Sequence, residues 1–436
     1  MMHRPFVLTS MAALLILGGC SERGNKAPVS HDAQRSSDLY GDGGVSAFYR
    51  PQTAIPSMPG QLIQQEDMDL TKLPKGTSRG IRILYSSTNG LGKGAPVAVS
   101  GQILLPQGKM PTHGWPVVAW EHGTTGVADV CAPSWRGYSS RDKAYLSRWL
   151  SEGFAVVASD YQGLGTSGPH PYLLYRPEGY SVLDGLRASL SGFPGQIRNW
   201  IVLVGQSQGS GAALGTAWLA PSYAPDLKIH GVVATGLVTG FAPSPTAKHS
   251  PVPEVYTDAT KMDSAFAMLR VDGSDQSLHP ETDSQTVMTD AGRKMSEIAR
   301  HACLHTLFDK ADEMKVQSDV LFNDKLPAFE TGHDTAFTIP DARISFPVFA
   351  GTGLADGEAG VNGQYNAVAA MCDAGTRVLW KRYPGVTHNG AVNVSLQDSV
   401  PFVKSLLAGR KPPQNCSAVT VPGPIEKPLP NIPWNN

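Results

Sequence analysis

The stretch that most constrains this chain is Ile201-Val-Leu-Val-Gly-Gln-Ser-Gln-Gly-Ser-Gly211. Four apolar, mostly β-branched residues predict a fully buried strand. Gly205-Gln-Ser207-Gln-Gly209 follows at once, and residues 210–219 read as a helix whose first turns carry little side-chain bulk, so that it can pack close to a sheet. A strand, a G-x-S-x-G turn and a helix in immediate succession form the context of a nucleophile elbow. Glycines two positions either side of Ser207 allow a turn too sharp for side chains. The turn lifts Ser207 above the sheet and frees the backbone N–H of Gln208 to face a developing oxyanion. The bare pattern also occurs by chance, so the surrounding elements have to carry the argument.

Short apolar runs recur along the chain and predict strands near 81–86, 97–105, 117–120, 154–159, 201–204, 229–234, 346–350 and 377–381. The first two suit a hairpin, with Asn89-Gly-Leu-Gly-Lys-Gly94 as its turn. From the third strand onward helices intervene, near 141–152, 180–190, 210–219, 361–371 and 395–407. Strand–helix alternation implies an α/β fold, an eight-stranded, mostly parallel sheet covered on both faces, with reactive groups on loops at the strands' carboxyl ends. About a hundred residues separate the strands ending near 234 and starting near 346, too many for a plain crossover. Stretches 262–271 and 295–308 carry apolar residues at helical spacing, so an inserted helical cap is expected at about 240–342.

An activated serine needs a base, and the base needs an acid to hold its tautomer. After an elbow the chain order is serine, acid, histidine, the last two on loops after late strands. Asp356 lies a short loop beyond the strand at 346–350, with Glu358 as rival and Asp373 a poorer candidate beyond a helix. His388, in Tyr383-Pro-Gly-Val-Thr-His388-Asn-Gly, lies on the loop after the last strand. A second oxyanion donor belongs on the loop after the third strand, which reads Glu121-His-Gly-Thr124-Thr-Gly126. Thr124 is the expected donor, partnering Gln208; His122 reads as scaffolding. The loop starting at Asp160 is expected to border the pocket, with His170, between two prolines, structural.

Other chemistries find little support. A net charge of −1 with 17 % charged residues argues against a nucleic-acid partner. His301 and His305 would share a helix face, but no glutamate follows the first and no third ligand is near, so no metal is expected. The glycine-rich turn lacks the Lys-Ser/Thr of a phosphate loop, so no nucleotide or other cofactor is implied.

The two ends read differently from the middle. His3 and Arg4 precede an apolar run from Phe6 to Leu17, too short for a permanent membrane span but ordered like an export signal. It ends in Leu17-Gly-Gly-Cys20, which resembles a bacterial lipobox with Cys20 as the lipidated residue. Residues 1–20 are therefore read as a lipoprotein signal, 21–48 as a flexible tether and 49–415 as the main domain. Residues 416–436, with prolines too dense for helix or central strand, read as an extended tail. The remaining cysteines, Cys131, Cys303, Cys372 and Cys416, suggest two disulfides in an exported chain, with three connectivities open.

Several long motifs carry a family resemblance: Glu121-His-Gly-Thr-Thr-Gly126, Cys131-Ala-Pro-Ser134, Ser159-Asp-Tyr-Gln-Gly-Leu-Gly165, Gly168-Pro-His-Pro-Tyr172, Leu183-Asp-Gly185, Gly205-Gln-Ser-Gln-Gly-Ser-Gly211 and Ser222-Tyr-Ala-Pro-Asp-Leu227. Together they resemble the secretory lipases, α/β-hydrolases of the Candida lipase A type, from about residue 49 to 407. The resemblance implies an extracytoplasmic serine ester hydrolase with a triad of Ser207, Asp356 and His388 and an oxyanion hole of Thr124 and Gln208. It also implies that Cys131 pairs with a cap cysteine, here Cys303, leaving Cys372 and Cys416 for a second bridge. The expected partners are a small-molecule or lipid ester and a bacterial membrane, reached through the N-terminal anchor from the periplasmic or outer side, for a monomeric protein. Acyl transfer, amide hydrolysis and non-catalytic lipid binding remain open alternatives, because a fold does not fix a chemistry.

Overall fold

The computed structural model describes residues 44–245, 247–254 and 261–436. The stretch read as a lipoprotein signal, Cys20 and the part of the expected tether up to residue 43 lie outside the described residues.

Strands β1 (Leu62–Asp67), β2 (Thr77–Thr88), β3 (Pro96–Pro106), β4 (Trp115–Glu121), β5 (Ala155–Ser159), β6 (Ile197–Gln206), β7 (Ile229–Thr235), β10 (Val348–Gly353) and β11 (Val378–Tyr383) form one sheet, in the order β1-β2-β3-β5-β4-β6-β7-β10-β11. β1, β2 and β3 pair antiparallel, as do β3 and β5, while every pair from β5 to β11 is parallel. The expected α/β class holds. The sheet has nine strands and not eight: Leu-Ile-Gln-Gln-Glu-Asp of β1 carries no sustained apolar pattern because it is an edge strand with an exposed end.

The parallel strands are buried along most of their length; all seven residues of β4 are covered. Such two-sided burial explains their continuous apolar spelling. Helices Tyr175–Gly192 and Gln208–Tyr223 cover one face. Helices Ser140–Ser151 and Leu396–Leu407 cover the other, around Trp120, Trp149 and Phe402. The chain passes from β4 to β5 on one side, then to β6 on the other. This switch point puts the loops after β4 and β6 side by side at the carboxyl edge of the sheet, where ligands collect in such folds.

Between β7 and β10 stands a helical unit with its own apolar centre, including Met268, Leu269, Met295, Leu307 and Phe329. Two short parallel strands, β8 (Gly240–Phe241) and β9 (Thr338–Ile339), join its base. The helix expected over 295–308 is two helices, Asp290–Ala299 and Leu304–Met314. Cys303 caps the second in extended conformation, held there by a disulfide to Cys131. His301 therefore sits in the turn and His305 on the second helix, not on one common helix face.

The second disulfide joins Cys372 to Cys416. Residues 44–48 depart from the expected tether: Val45 and Phe48 pack against a small cluster containing Tyr49 and Leu164. No helix among the described residues is long and apolar enough to cross a membrane.

Candidate active site

Ser207 caps the helix Gln208–Tyr223 with φ 57° and ψ −125°, a conformation a non-glycine residue adopts only when its surroundings impose it. Here they do. Ser207 N–H donates to Thr235 O of β7 (3.0 Å), and Ser207 O accepts from Ser210 N (2.8 Å) and Ser210 Oγ (2.6 Å). Both flanking glycines are required for contact: a Cβ on Gly205 would collide with Gly209 O, and one on Gly209 with Glu121 O. The elbow thus seats directly on the end of β4, where Glu121 and Gly205 are register partners.

His388 lies behind its own cap. Thr387 Oγ1 accepts from Gly390 N (3.3 Å), starting a helix at His388. The ring Nδ1 meets Asp356 Oδ2 at 2.8 Å, leaving Nε2 to exchange a proton on the opposite side. Burial alone would lower the ring's pKa, but the negative charges of Asp356 and Glu358 and the bond to Asp356 outweigh it, so the imidazole sits above its ordinary value. For Asp356 burial pulls upward, and the His388 charge, its hydrogen bond, the Ala359 N–H and Gln364 more than offset it, holding the carboxyl below the usual range. Asp356 Oδ1 accepts from the backbones of Glu358 (3.0 Å) and Ala359 (2.9 Å), and Gln364 Nε2 donates to Oδ2 (2.7 Å). Glu358, the rival acid, instead accepts from Asn389 Nδ2 (3.1 Å) at the cavity wall. Asp373 is engaged elsewhere, on His249 (2.8 Å).

Two cavities meet at Ser207 and His388. One, about 510 Å³, is lined by Leu173, Val238, Phe266, Ala267, Phe322 and Leu326, with Asp263, Arg270, Asp319 and Glu358 also in its wall. The other, about 420 Å³, has a more polar wall than the first, with Thr124, Arg136, Arg141, Asn389, His305 and Trp434 among its residues. Arg141 links Asn389 to Gln206 Oε1 (3.1 Å), tying the histidine helix to the strand that leads into the elbow.

Thr124 lines the polar cavity and Gln208 the apolar one, and Ser207 lines both. Thr124 Oγ1 bonds Tyr172 OH at 2.9 Å, a partner the sequence reading did not name. The Gln208 side chain is buried: its Nε2 donates to Glu178 Oε1 (2.7 Å) and lies 2.9 Å from His170 Nε2. Burial pushes Glu178 up to about 8 and His170 down to about 3, so both are neutral or nearly so near pH 7. His170 stacks on Tyr161 and supports Gln208 from behind. His122 is buried with Nδ1 on Gly123 O (2.8 Å), and burial lowers its pKa. The loop that starts at Asp160 borders the apolar cavity through Tyr172, while Asp160 itself is buried, accepting from Ser100 Oγ (2.6 Å) and Ser134 N (2.8 Å). His305 is at the polar cavity wall, and His301 Nδ1 bonds Glu297 O (2.9 Å).

Residues 138–247 match the secretory lipase family model. Lipase A of Arthroderma benhamiae is 30 % identical over 225 residues, 47 % of this chain and 45 % of that protein. The secreted triacylglycerol lipase LIP2 of Malassezia furfur is 24 % identical over 294 residues, 63 % of this chain and 58 % of that one. The chain spans about half the length of the curated relatives it matches. Candida antarctica lipase A in its closed state superposes with a TM-score of 0.63 at 21 % identity, covering 89 % of this chain and 92 % of its own. The rice cell wall degrading esterase LipA of Xanthomonas oryzae gives 0.58 at 17 % identity, covering 81 % and 100 %. These likenesses establish an α/β-hydrolase fold.

Proposed function

We propose that this chain is a secretory-lipase-type, exported serine ester hydrolase using Ser207, His388 and Asp356, a reading supported by the family match over residues 138–247. The observation that carries this reading is the His388–Asp356 pair at 2.8 Å beside a strained serine, where an apolar and a polar cavity meet.

In the first step His388 Nε2 accepts the Ser207 hydroxyl proton as Oγ attacks the ester carbonyl. Asp356 holds the Nδ1–H tautomer and stabilises the imidazolium that forms. The tetrahedral oxyanion is received by the Gln208 and Thr124 N–H groups, which the elbow and the β4 loop fix before substrate arrives. His388 then protonates the departing alcohol. Water, deprotonated by the same histidine, releases the acid from the acyl-serine. The apolar cavity suits the acyl chain and the polar one the alcohol half. Two disulfides fit an exported chain, and Cys20 is the proposed point of lipid attachment to a bacterial membrane.

A fluorophosphonate tests the nucleophile independently of substrate choice. The reading expects one adduct, mapped to Ser207, absent from Ser207→Ala. An adduct elsewhere, or unlabelled wild-type protein, contradicts it.

A further inference from the structure

The tail beyond Cys416 is fastened across both loops that carry the proposed acid and base. At its root, beside the Cys372–Cys416 bridge, Asn415 borders β11: its N–H donates to Val378 O (2.9 Å) and its Nδ2 to Trp380 O (2.9 Å), while Oδ1 accepts from Trp380 N (2.8 Å). Farther on, Glu426 N donates to Leu354 O of the acid loop (2.8 Å), and Glu426 Oε2 accepts from Gly385 N of the histidine turn (2.6 Å). Leu429 N donates to Gly385 O (2.8 Å), close enough that a Cβ on Gly385 would collide with the Leu429 side chain. Ile432 packs against Tyr383, Val386 and Ala391.

The last fastening is a side chain. Asn435 Oδ1 accepts from Thr387 N (2.7 Å), and its Nδ2 donates to Gly385 O (2.9 Å) and Leu429 O (2.9 Å). Thr387 is both the residue before His388 and the cap of its helix. A Cβ on Gly390, in the first turn of that helix, would collide with Asn435 Oδ1, so the amide is seated against backbone on both sides of His388. The prolines between the fastenings pre-extend the segment and lower the entropy lost in laying it down.

The geometry points to Asn435 as a positioning residue for His388, with the tail as the strap that sets the histidine turn against the acid loop. The inference rests on the ester-hydrolase reading above. Asn435 touches neither substrate nor the reacting atoms; it fixes the backbone from which the base projects. Misplacing a catalytic group by about 1 Å costs on the order of a hundredfold in rate.

The test is steady-state hydrolysis of p-nitrophenyl butyrate across pH by wild type, Asn435→Ala, Asn435→Asp and Ser207→Ala. Asn435→Ala removes all three bonds and is expected to lower kcat at least tenfold with KM within twofold, and to move the acid limb of kcat/KM. Asn435→Asp keeps the acceptor for Thr387 N–H but sets a carboxylate oxygen against the Gly385 and Leu429 carbonyls, and is also expected to lower kcat, by at least threefold. Wild-type kcat and an unchanged pH profile in either folded variant overturn the positioning role, so the aspartate variant decides if the alanine protein does not fold. If Ser207→Ala is inactive while Asn435→Ala matches wild type, only the positioning role falls. Activity that persists in Ser207→Ala sinks the ester-hydrolase reading itself.

Discussion

Asp356 and Glu358 stand two residues apart on one loop, and the backbone decides between them. Asp356 turns inward because Glu358 N and Ala359 N bind its Oδ1, leaving Oδ2 for His388; Glu358 is left at the cavity wall. The two carboxylates therefore predict different phenotypes. Asp356→Asn disturbs the tautomer and should lower kcat by up to about 10⁴-fold, as in other serine–histidine–aspartate sites. Glu358→Gln should leave the plateau rate near wild type and shift the pH profile. As the proposed base His388 must be neutral, so activity is expected to rise with pH through its raised pKa, with the acid limb above the ordinary imidazole value. Removing the Glu358 charge removes part of that upward shift, so the limb should move to lower pH. A kcat/KM profile of the two variants checks both; a limb that moves to higher pH in Glu358→Gln contradicts the electrostatics. The order Ser207, Asp356, His388 was legible because each residue sits just beyond a strand the sequence announces. Their supports were not: Tyr172 and Asn435 bond to site residues 48 positions away, and Gln364 reaches back to Asp356 from the following helix, through side-chain bonds that no local pattern encodes.

At the scale of elements, buried parallel strands were readable because burial on both faces leaves continuous apolar runs. β1 was not, since an exposed edge strand has no such run. The insertion was legible as length and helical spacing, but its shape was not: β8 and β9 have two residues each, and the break at Cys303 is imposed by a disulfide partner 172 residues away. This insertion supplies Phe266, Ala267, Phe322 and Leu326 to the apolar cavity. Ala267→Trp should fill that cavity and shorten the preferred acyl chain. Each buried methylene is worth about 0.8 kcal/mol, so excluding two lowers relative kcat/KM by roughly tenfold. Palmitate-to-butyrate ratios measure this; an unchanged ratio places the acyl chain elsewhere.

For the whole molecule, two covalent links organise the fold around the site. Cys131–Cys303 joins the helical insertion to the loop region after β4, and Cys372–Cys416 staples the root of the tail. Cys131→Ser should cost about 2–4 kcal/mol of stability, visible as a lowered unfolding midpoint in denaturant. An unchanged midpoint would show that the insertion is held by packing alone. The tail itself was legible only as a proline-rich stretch that could be neither helix nor central strand. Its value to the site lies in non-local bonds from Glu426, Leu429 and Asn435, which composition does not reveal. The most direct test of the account is hydrolysis of p-nitrophenyl esters from acetate to palmitate by protein starting after Cys20, with Ser207→Ala alongside. The account predicts hydrolysis by the wild type across at least the shorter chains and its loss in Ser207→Ala. Equal rates in the two proteins, or no hydrolysis of any ester, would contradict it.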